Sequence, residues 1–399
     1  ATIDTQTHSI VVNKTNKAIE IVNLLEKRQG VNEYCSMLKY NIYKSQNQHE
    51  KAIKEIEILS KEYPSNVSYL SILAQYYLNN EKEEKALNLM KKVEEIDSNN
   101  VENIVALMEI YYKKGEIPSA EAYIDKLCKT TKMGFEEKNQ IILGLYKAKV
   151  DEDIETLRNY IKHLETMLSM YPEEGRLWQF LSIGYMRTFR MDEAYQACKK
   201  AVEYGVKDID LYKRYIITQQ VKAGDEERIK TCDDAIKLYP RECIFYIVKG
   251  YSLVNLKEYE KAIETLEKGL KYAKQQSDYI DIYSNLAEAY YRTENKDKAF
   301  EYFEKALKKD ANNLMILNNY AYYLCLENQD LDKAEKMSKQ TYDAQSYNIT
   351  FADTYAWILF AKKDYQGAKM ILDSFLSEQE TWSETIKDHY QKILDVINQ

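Results

Sequence analysis

Histidine and cysteine are the residues of this sequence whose chemistry could serve a metal site or a redox reaction. No two histidines have the spacing of a zinc-binding HExxH motif, and no two cysteines form CxxC. The residues in question are His8, His49, His163, His389, Cys35, Cys128, Cys198, Cys232, Cys243 and Cys325. We interpret the histidines as surface or packing residues and the cysteines as reduced packing residues, with redox chemistry as the alternative.

Paired carboxylates are the next candidates, since general acid–base catalysis often needs two of them. They occur in segments such as "EKEEK" and "FEEKN", where charged residues are spaced as on the solvent-exposed face of a helix. The chain has no glycine-rich phosphate loop and no GxSxG segment. We therefore predict no enzymatic activity, no cofactor and no bound metal.

The composition favours many helices joined by short polar turns. Of 399 residues, only 11 are glycine and 4 are proline, whereas 36 are tyrosine. Sheets and phosphate loops need more turn residues than this. The net charge of −8 offers no basic surface for a nucleic-acid backbone, and no apolar run is long enough to cross a membrane. We expect neither a nucleic-acid partner nor a transmembrane segment in this chain.

One short pattern recurs along the chain, as in "EKAIKEI" and "DKAFEYF". Two residues, usually polar, are followed by alanine and then, within the next few positions, by an aliphatic or aromatic residue. Successive copies are often 34 residues apart, as from Ala52 to Ala86 and on to Ala120. Two periods separate Ala194 from Ala262, and a weaker copy, "EERIKTC", is centred midway on Arg228. The chain is therefore predicted to be a repeat protein. The alanines that mark the copies are Ala52, Ala86, Ala120, Ala194, Ala262, Ala299, Ala334 and Ala368.

A 34-residue unit of two helices and a polar turn resembles the tetratricopeptide repeat (TPR). When the reference alanine is numbered 20, that family has bulky residues at positions 4, 7, 11 and 24 and small ones at 8, 20 and 27. The unit around "NLAEAYYRTENKDKAFEYFEKAL" supplies Tyr283, Leu286, Ala287, Tyr290, Ala299, Phe303 and Ala306 at those positions. Nine or ten units are in phase over about residues 13–376. The resemblance implies an all-α, right-handed α-solenoid of about ten helical hairpins.

The breaks in the period predict the organisation of the chain. Residues 1–12 are expected to be extended or disordered, and residues 13–128 to form N-terminal TPR units. Residues 129–174 are expected to form an irregular hairpin with longer helices, because Tyr160 stands where a small residue belongs. Residues 175–376 are assigned to C-terminal TPR units. Residues 377–399 are assigned to a capping helix with a polar outer face.

The resemblance also implies where a partner would bind. In TPR arrays the first helix of each hairpin lines a concave groove, to which positions 2, 5, 9, 12 and 13 point. In the last four units these positions carry several aromatic residues, which serve as anchors at interfaces. The predicted partner-binding residues are Tyr251, Glu288, Tyr291, Arg292, Asn318, Tyr322, Asp353, Trp357 and Phe360. In the alternative interpretation the terminal helix folds back and covers Trp357 and Phe360.

The predicted function is binding of a protein or peptide in the concave groove, without catalysis. The closing repeats resemble those of exported bacterial TPR proteins of the cell envelope, which would imply an anchor ahead of residue 1 and a periplasmic or envelope location. The alternative is a cytoplasmic regulatory TPR domain that binds a small signalling peptide. The six cysteines favour that reducing compartment.

Overall fold

The computed structural model describes residues 2–30, 32–147 and 149–398, apart from the side chains of residues 2–15 and 221. Within this part of the chain the secondary structure consists of 23 α-helices and one 3-10 helix, with no strand. The helices follow one another as hairpins, which confirms the predicted all-α repeat fold. None of the described helices is both long and apolar enough to cross a bilayer.

The chain divides into two compact units, residues 1–189 and 190–399. In unit 1 the pairs α2/α3, α4/α5 and α6/α7 pack as hairpins. The helices of unit 1 are α1 (Thr2–Gln29), α2 (Glu33–Ser45), α3 (His49–Glu62), α4 (Val67–Asn79), α5 (Glu83–Ile96), α6 (Val101–Lys114), α7 (Ile117–Lys129), α8 (Phe135–Tyr146), α9 (Lys149–Glu152), α10 (Ile154–Met170) and α11 (Gly175–Arg187).

In unit 2 each hairpin also packs on the next one along the chain. Its helices are α12 (Met191–Glu203), α13 (Ile209–Lys222), α14 (Asp225–Leu238), α15 (Cys243–Asn255), α16 (Tyr259–Leu270), α17 (Gln276–Arg292), α18 (Lys296–Lys309), α19 (Leu314–Leu326), α20 (Leu331–Ala344), α21 (Ile349–Ala361), α22 (Tyr365–Asp373) and, after a 3-10 helix (Leu376–Thr381), α23 (Glu384–Ile397).

Small residues allow the two helices of a hairpin to approach closely. Ala287, Ala299 and Ala306 are fully buried in α17 and α18. In the preceding hairpin a Cβ added at Gly250 would collide with the side chain of Leu266. Because interiors are close-packed, even one extra methyl group at such a position must displace a neighbour. The small residues of the sequence pattern are therefore structural.

Many tyrosines link one repeat to the next. Tyrosine at position 11 donates its hydroxyl hydrogen to glutamate at position 25 of the preceding repeat. The O–O distance is 2.9 Å for Tyr77–Glu57 and 2.6 Å for Tyr290–Glu267. The aromatic ring fills the gap between hairpins while its hydroxyl is satisfied at the edge. This arrangement gives part of the high tyrosine content a structural role.

The turns within hairpins explain why so little glycine is needed. At the turn after α4, Glu81 has φ 57°, and the turn after α17 places Glu294 at φ 61°. L-residues adopt this left-handed conformation at a cost of roughly 1–2 kcal/mol. Asparagine side chains then cap many first helices, as Asn66 does when it accepts a hydrogen bond from Ser68 N.

The structure corrects the predicted boundaries. Residues 2–12, expected to be extended or disordered, belong to helix α1. This helix contains no glycine or proline and ends just before Gly30, which has φ 83°. The division between units falls after Phe189, inside the segment 175–376 that was assigned to one set of repeats. This division follows from tertiary contacts within each unit, which the period of a sequence pattern does not report.

The irregular segment 129–174 also differs from the prediction. Only α10, with 17 residues, is long, whereas α8 has 12 residues and the short helix α9 lies between them. Tyr160 donates a hydrogen bond to Asn139 Oδ1 at 2.6 Å. Lys138 is fully buried, and its ammonium group donates to the carbonyl oxygens of Cys128 and Thr130. Polar anchoring therefore replaces the close contact of small residues here.

Candidate functional site

The first helices of the hairpins in unit 2 share a face that contains two adjoining cavities. The smaller cavity is lined by α13, α14, α15 and α17 and has a volume of about 570 Å³. The larger one is lined by α15, α17, α19, α21 and α23 and has a volume of about 770 Å³. We call the smaller one the apolar compartment and the larger one the polar compartment, and both together the groove. They are continuous because both are lined by Tyr251, Asp281 and Asn285.

Six of the nine predicted partner-binding residues line the polar compartment. They come from four different helices, which bring together residues up to about a hundred positions apart. Each of them lies on the first helix of its hairpin, on the side that faces away from the second helix. These residues are Tyr251, Glu288, Arg292, Asn318, Tyr322 and Asp353. Their role in binding remains a prediction.

Glu288 and Arg292 form the charged centre of the polar compartment. Arg292 Nε donates to Glu288 Oε1 at 2.9 Å, and Arg292 Nη2 lies 3.3 Å from the hydroxyl oxygen of Tyr323. Tyr323 in turn donates to Glu288. Burial acts to lower the pKa of Arg292, but the hydrogen bond to Glu288 and the charge interactions with Tyr323 and Glu288 together outweigh it, so the pKa is raised. The guanidinium is thus held in place, ready to accept a further anion at the groove surface.

Asn318 and Asp353 lie deeper in the same compartment. Asn318 is 4% exposed, and its Oδ1 has no hydrogen-bond partner among the described residues. Asp353 is 6% exposed, and each of its carboxylate oxygens lies 3.0 Å from His389 Nδ1. Asp353 is therefore already occupied by a histidine of α23. Asn318, by contrast, offers a free acceptor beside the cavity.

The structure corrects the prediction for Trp357 and Phe360. The indole of Trp357 stacks on the imidazole of His389, with ring centres 3.9 Å apart. Phe360 packs against the cluster that contains Trp382 and Tyr390. Neither residue lines either compartment. The alternative interpretation therefore holds for Trp357, which His389 of the terminal helix covers, whereas the ring of Phe360 stacks on Trp357.

The structure also corrects the prediction that Tyr291 lines the groove. Its ring stacks on that of Tyr323 at 3.9 Å, and its hydroxyl donates to Glu327 Oε1 at 2.7 Å. It is half-buried between α17 and α19 and does not line the groove. Tyr291, at position 12 of its repeat, therefore contacts the neighbouring hairpin, whereas the adjacent Arg292 lines the groove.

Sequence reasoning missed the contributions of α13 and α23. Ser383, Thr385 and Ile386 at the start of α23 close one end of the polar compartment. No periodic signal locates this helix. The apolar compartment was detectable, because the same position count applied to the repeat of Arg228 gives Lys213, Ile217 and Gln220, which line it.

The residues first considered for chemistry lie elsewhere in the structure. His163 is buried, with Nε2 2.8 Å from Glu121 Oε2, and His389 is buried against Asp353. Both are packing residues, whereas the side chain of His8 lies outside the described residues. All six cysteines are buried, and burial raises the pKa of Cys128 to about 12. Among the described residues, no three His, Cys, Asp or Glu side chains form a group that could hold a metal ion.

Known proteins share the repeat. Residues 243–312 match the model of the family described as tetratricopeptide repeat. A curated relative, TPR repeat-containing protein MJ1428 of Methanocaldococcus jannaschii, is 22% identical over 151 residues, which are 37% of this chain and 26% of that protein. This chain thus spans about a quarter of the length of that relative.

Solved structures of similar fold include YrrB, described as a TPR protein with an unusual peptide-binding site. It is 16% identical, and the match covers 46% of this chain and 92% of that one with a TM-score of 0.40. PilF of Pseudomonas aeruginosa is 17% identical, with coverages of 55% and 96% and a TM-score of 0.46. Yeast Tom70 is 16% identical, with coverages of 89% and 86% and a TM-score of 0.40.

Proposed function

Since this chain carries tetratricopeptide repeats, we propose that it binds a peptide segment of a protein partner in the groove of unit 2 and has no catalytic activity of its own. The observation that carries the proposal is the polar compartment, in which Tyr251, Arg292 and Tyr322 meet around a cavity of about 770 Å³. Cavities of this size that combine aromatic surface with a few fixed polar groups are typical of binding sites.

The arrangement suits an extended segment rather than a small molecule. The two compartments together follow the first helices of five successive hairpins, from α13 to α21. Tyr251, 44% exposed, stands at the junction between the compartments. A ligand that contacts both must be a chain several residues long. Asn318 Oδ1, which has no partner among the described residues, can accept a hydrogen bond from a backbone N–H of that chain.

The terminal helix defines one end of the site. α23 supplies Ile386 to the compartment wall and covers Trp357 with His389. A peptide therefore ends or turns at α23 instead of continuing over α21. This limits the proposed site to the six predicted residues that line the cavity.

The test begins with a library of random 12-residue peptides displayed on phage and selected on the full chain. The affinity of a selected synthetic peptide is then measured by calorimetry for the wild-type protein and for Tyr251→Ala and Tyr322→Ala. Loss of a central aromatic anchor is expected to weaken binding roughly thirtyfold or more, since such anchors contribute at least about 2 kcal/mol.

Tyr347→Ala is the matched control. This tyrosine is 79% exposed and lies outside both compartments, so its loss is expected to leave affinity unchanged. Thermal unfolding of each variant checks that the fold is intact. If the library yields no binder, or if the groove variants bind like the control, the proposal is overturned.

The finer part of the proposal is a role in a bacterial cell-envelope assembly. It rests on the closing segment "LNNYAYYLCLENQDLDKAEKMSKQ" and the following "FADTYAWILFAKKDYQGAKMIL", whose sequences resemble closing repeats of exported TPR proteins. The six cysteines, which show no disulfide pattern in the sequence, favour the second candidate, a cytoplasmic regulatory domain. Subcellular fractionation of the native host, with the N-terminal sequence of the mature and precursor forms, separates the two.

A further inference from the structure

The hairpin α13/α14 breaks the rule that both contact positions are small. Ile216 occupies position 8 and Arg228 position 20, where α17/α18 have Ala287 and Ala299. Both large residues are nevertheless buried, at 3% and 6% exposure. Two large side chains between a pair of helices require more space than two small ones, and both residues also line the apolar compartment.

The walls of the apolar compartment are mainly aliphatic. Ile217 and the α15 residues Ile244, Ile247 and Val248 line it beside Ile216. Its volume of about 570 Å³ lies within the range of small-ligand pockets and is large enough for one branched side chain with its backbone. Ile217 is 47% exposed, so the surface is open to a ligand from the groove.

Arg228 places a positive charge in this aliphatic setting. Its Nη1 lies 3.3 Å from Asp225 Oδ1, whereas its Nε is buried and has no acceptor among the described residues. Asp225 also accepts from Asn255 Nδ2 at 3.3 Å, so it is shared between two donors. A guanidinium with one unfilled donor is well suited to a second carboxylate, because carboxylates bind such donors more strongly than neutral groups do.

The other charged residues that line the apolar compartment are Lys213, which is paired with a carboxylate, and Asp281, which repels one. Lys213 Nζ lies 3.4 Å from Glu242 Oε2, and both side chains are about one-third exposed. Asp281 is the acidic residue on the opposite wall, and it is exposed. A ligand carboxylate is therefore favoured at the Arg228 end and disfavoured beside Asp281, which gives the bound segment a direction.

We propose that the apolar compartment holds a branched aliphatic side chain of the bound peptide while an adjacent carboxylate of the same peptide accepts a hydrogen bond from Arg228. This inference rests on the proposed function and deepens it, because it assigns a chemical class to the ligand. The partner would carry an aliphatic residue next to an aspartate or glutamate at one end of its groove-binding segment.

A pair of small probes tests the chemistry without knowledge of the partner. 4-Methylpentanoate carries a leucine-like branched chain and a carboxylate, and 4-methylpentanamide has the same shape without the charge. Four isoleucines line the compartment, so methyl NMR of the isoleucine-labelled full chain reports binding directly. We expect saturable shifts of these methyl groups with the carboxylate and about tenfold weaker binding of the amide, equivalent to 1.4 kcal/mol.

Two variants separate the charge from the cavity. In Arg228→Met, which removes the guanidinium and leaves a shorter, unbranched apolar side chain, the acid and the amide are expected to bind equally. Ile217→Ser is expected to weaken both, whereas the control Ile117→Ser, at a comparably exposed isoleucine of unit 1, is expected to change neither. Arg228→Lys keeps the charge and is expected to retain part of the preference for the acid.

Several results would overturn the inference. These are the absence of saturable shifts, equal binding of acid and amide to the wild-type protein, or an acid preference that survives in Arg228→Met. Selected peptides that bind the polar compartment but lack an aliphatic residue next to an acidic one would also overturn it, while leaving the proposed function standing. Failure of the library to yield any binder would instead remove the proposed function and this inference with it.

Discussion

The hairpins α13/α14 and α17/α18 occupy equivalent repeat positions in the same unit but fill them with opposite kinds of side chain. At position 8, Ala287 in α17 corresponds to Ile216 in α13, and at position 20, Ala299 corresponds to Arg228. Both hairpins are formed, and the pairs of residues are buried in each. The repeat therefore tolerates large residues at its contact positions, and an adjoining cavity accompanies them.

The same contrast extends to the polar groups. At position 11, Tyr290 reaches Glu267 of the preceding repeat at 2.6 Å, whereas Gln219 in α13 bonds to Thr231 within its own hairpin at 2.9 Å. The Oε1 of Gln219 is buried and has no partner among the described residues. At position 11, therefore, the hydrogen bond of α17 joins two repeats, whereas that of α13 stays within one hairpin.

The largest effect is expected at position 24. Phe303 is 1% exposed and stacks on Tyr320 at 5.2 Å, so Phe303→Ala is expected to lower the free energy of unfolding by about 3–5 kcal/mol. Cys232 is fully buried at the equivalent place, and Cys232→Ala removes one heavy atom for about 1 kcal/mol. Urea unfolding followed by circular dichroism measures both. Equal losses would contradict the difference in packing between the hairpins.

The next effect concerns position 20 of the tightly packed hairpin. Ala299→Leu would force α17 and α18 apart by a side-chain layer, at a cost of about 1–3 kcal/mol. Because repeats are held by nearest-neighbour contacts, amide hydrogen exchange should accelerate mainly in α15–α20. Exchange that rises evenly over all described helices would argue against a repeat array with local coupling.

A smaller effect is expected at position 11. Tyr290→Phe removes the hydrogen bond to Glu267 and is expected to cost about 0.5–1.5 kcal/mol. Burial first, and the bond to Glu267 second, raise the pKa of Tyr290 above its ordinary value near 10. The stabilisation of the folded state by Tyr290 is therefore fully present below about pH 10, and it is lost as the pH rises through the higher pKa that Tyr290 has in the folded state.

The pH dependence can be checked with the same pair of proteins. The difference in unfolding free energy between wild type and Tyr290→Phe should be constant from about pH 7 to 9 and shrink at higher pH. A gap that instead widened above pH 10 would mean that the phenol titrates more easily in the folded state. Gln219→Leu provides the comparison in α13 and should show no such alkaline dependence.

The smallest effect is expected at Arg228. Arg228→Met replaces the charged side chain with a shorter, unbranched apolar one, and the released Asp225 keeps its contact with Asn255. Replacing buried charge by well-packed apolar atoms is often close to neutral, so we expect a change within about 1 kcal/mol. A loss as large as that of Phe303→Ala would show that Arg228 is a structural residue and that the two hairpins differ less than their sequences suggest.

The candidate site was only partly predictable, and particular residues show why. Tyr251 and Arg292 follow from counting positions on a first helix, since that count fixes which side of the helix a residue occupies. Trp357 satisfies the same count, yet it lies under His389. The difference is the docking of α23, which belongs to no repeat and so carries no periodic signal. Ser383 and Ile386 could not be assigned to the site for the same reason.

The sequence by itself determined the helical hairpins, their register and the places where small residues must lie, because these depend on spacing within a helix and on the next repeat along the chain. It also marked Arg228 as a departure from the pattern. Only the tertiary structure decided that α23 closes one end of the polar compartment, that Asn318 and Arg228 each keep a polar atom without a partner among the described residues, and where a cavity remains. These features arise from the combined fit of side chains distant in sequence, and no local pattern encodes that fit.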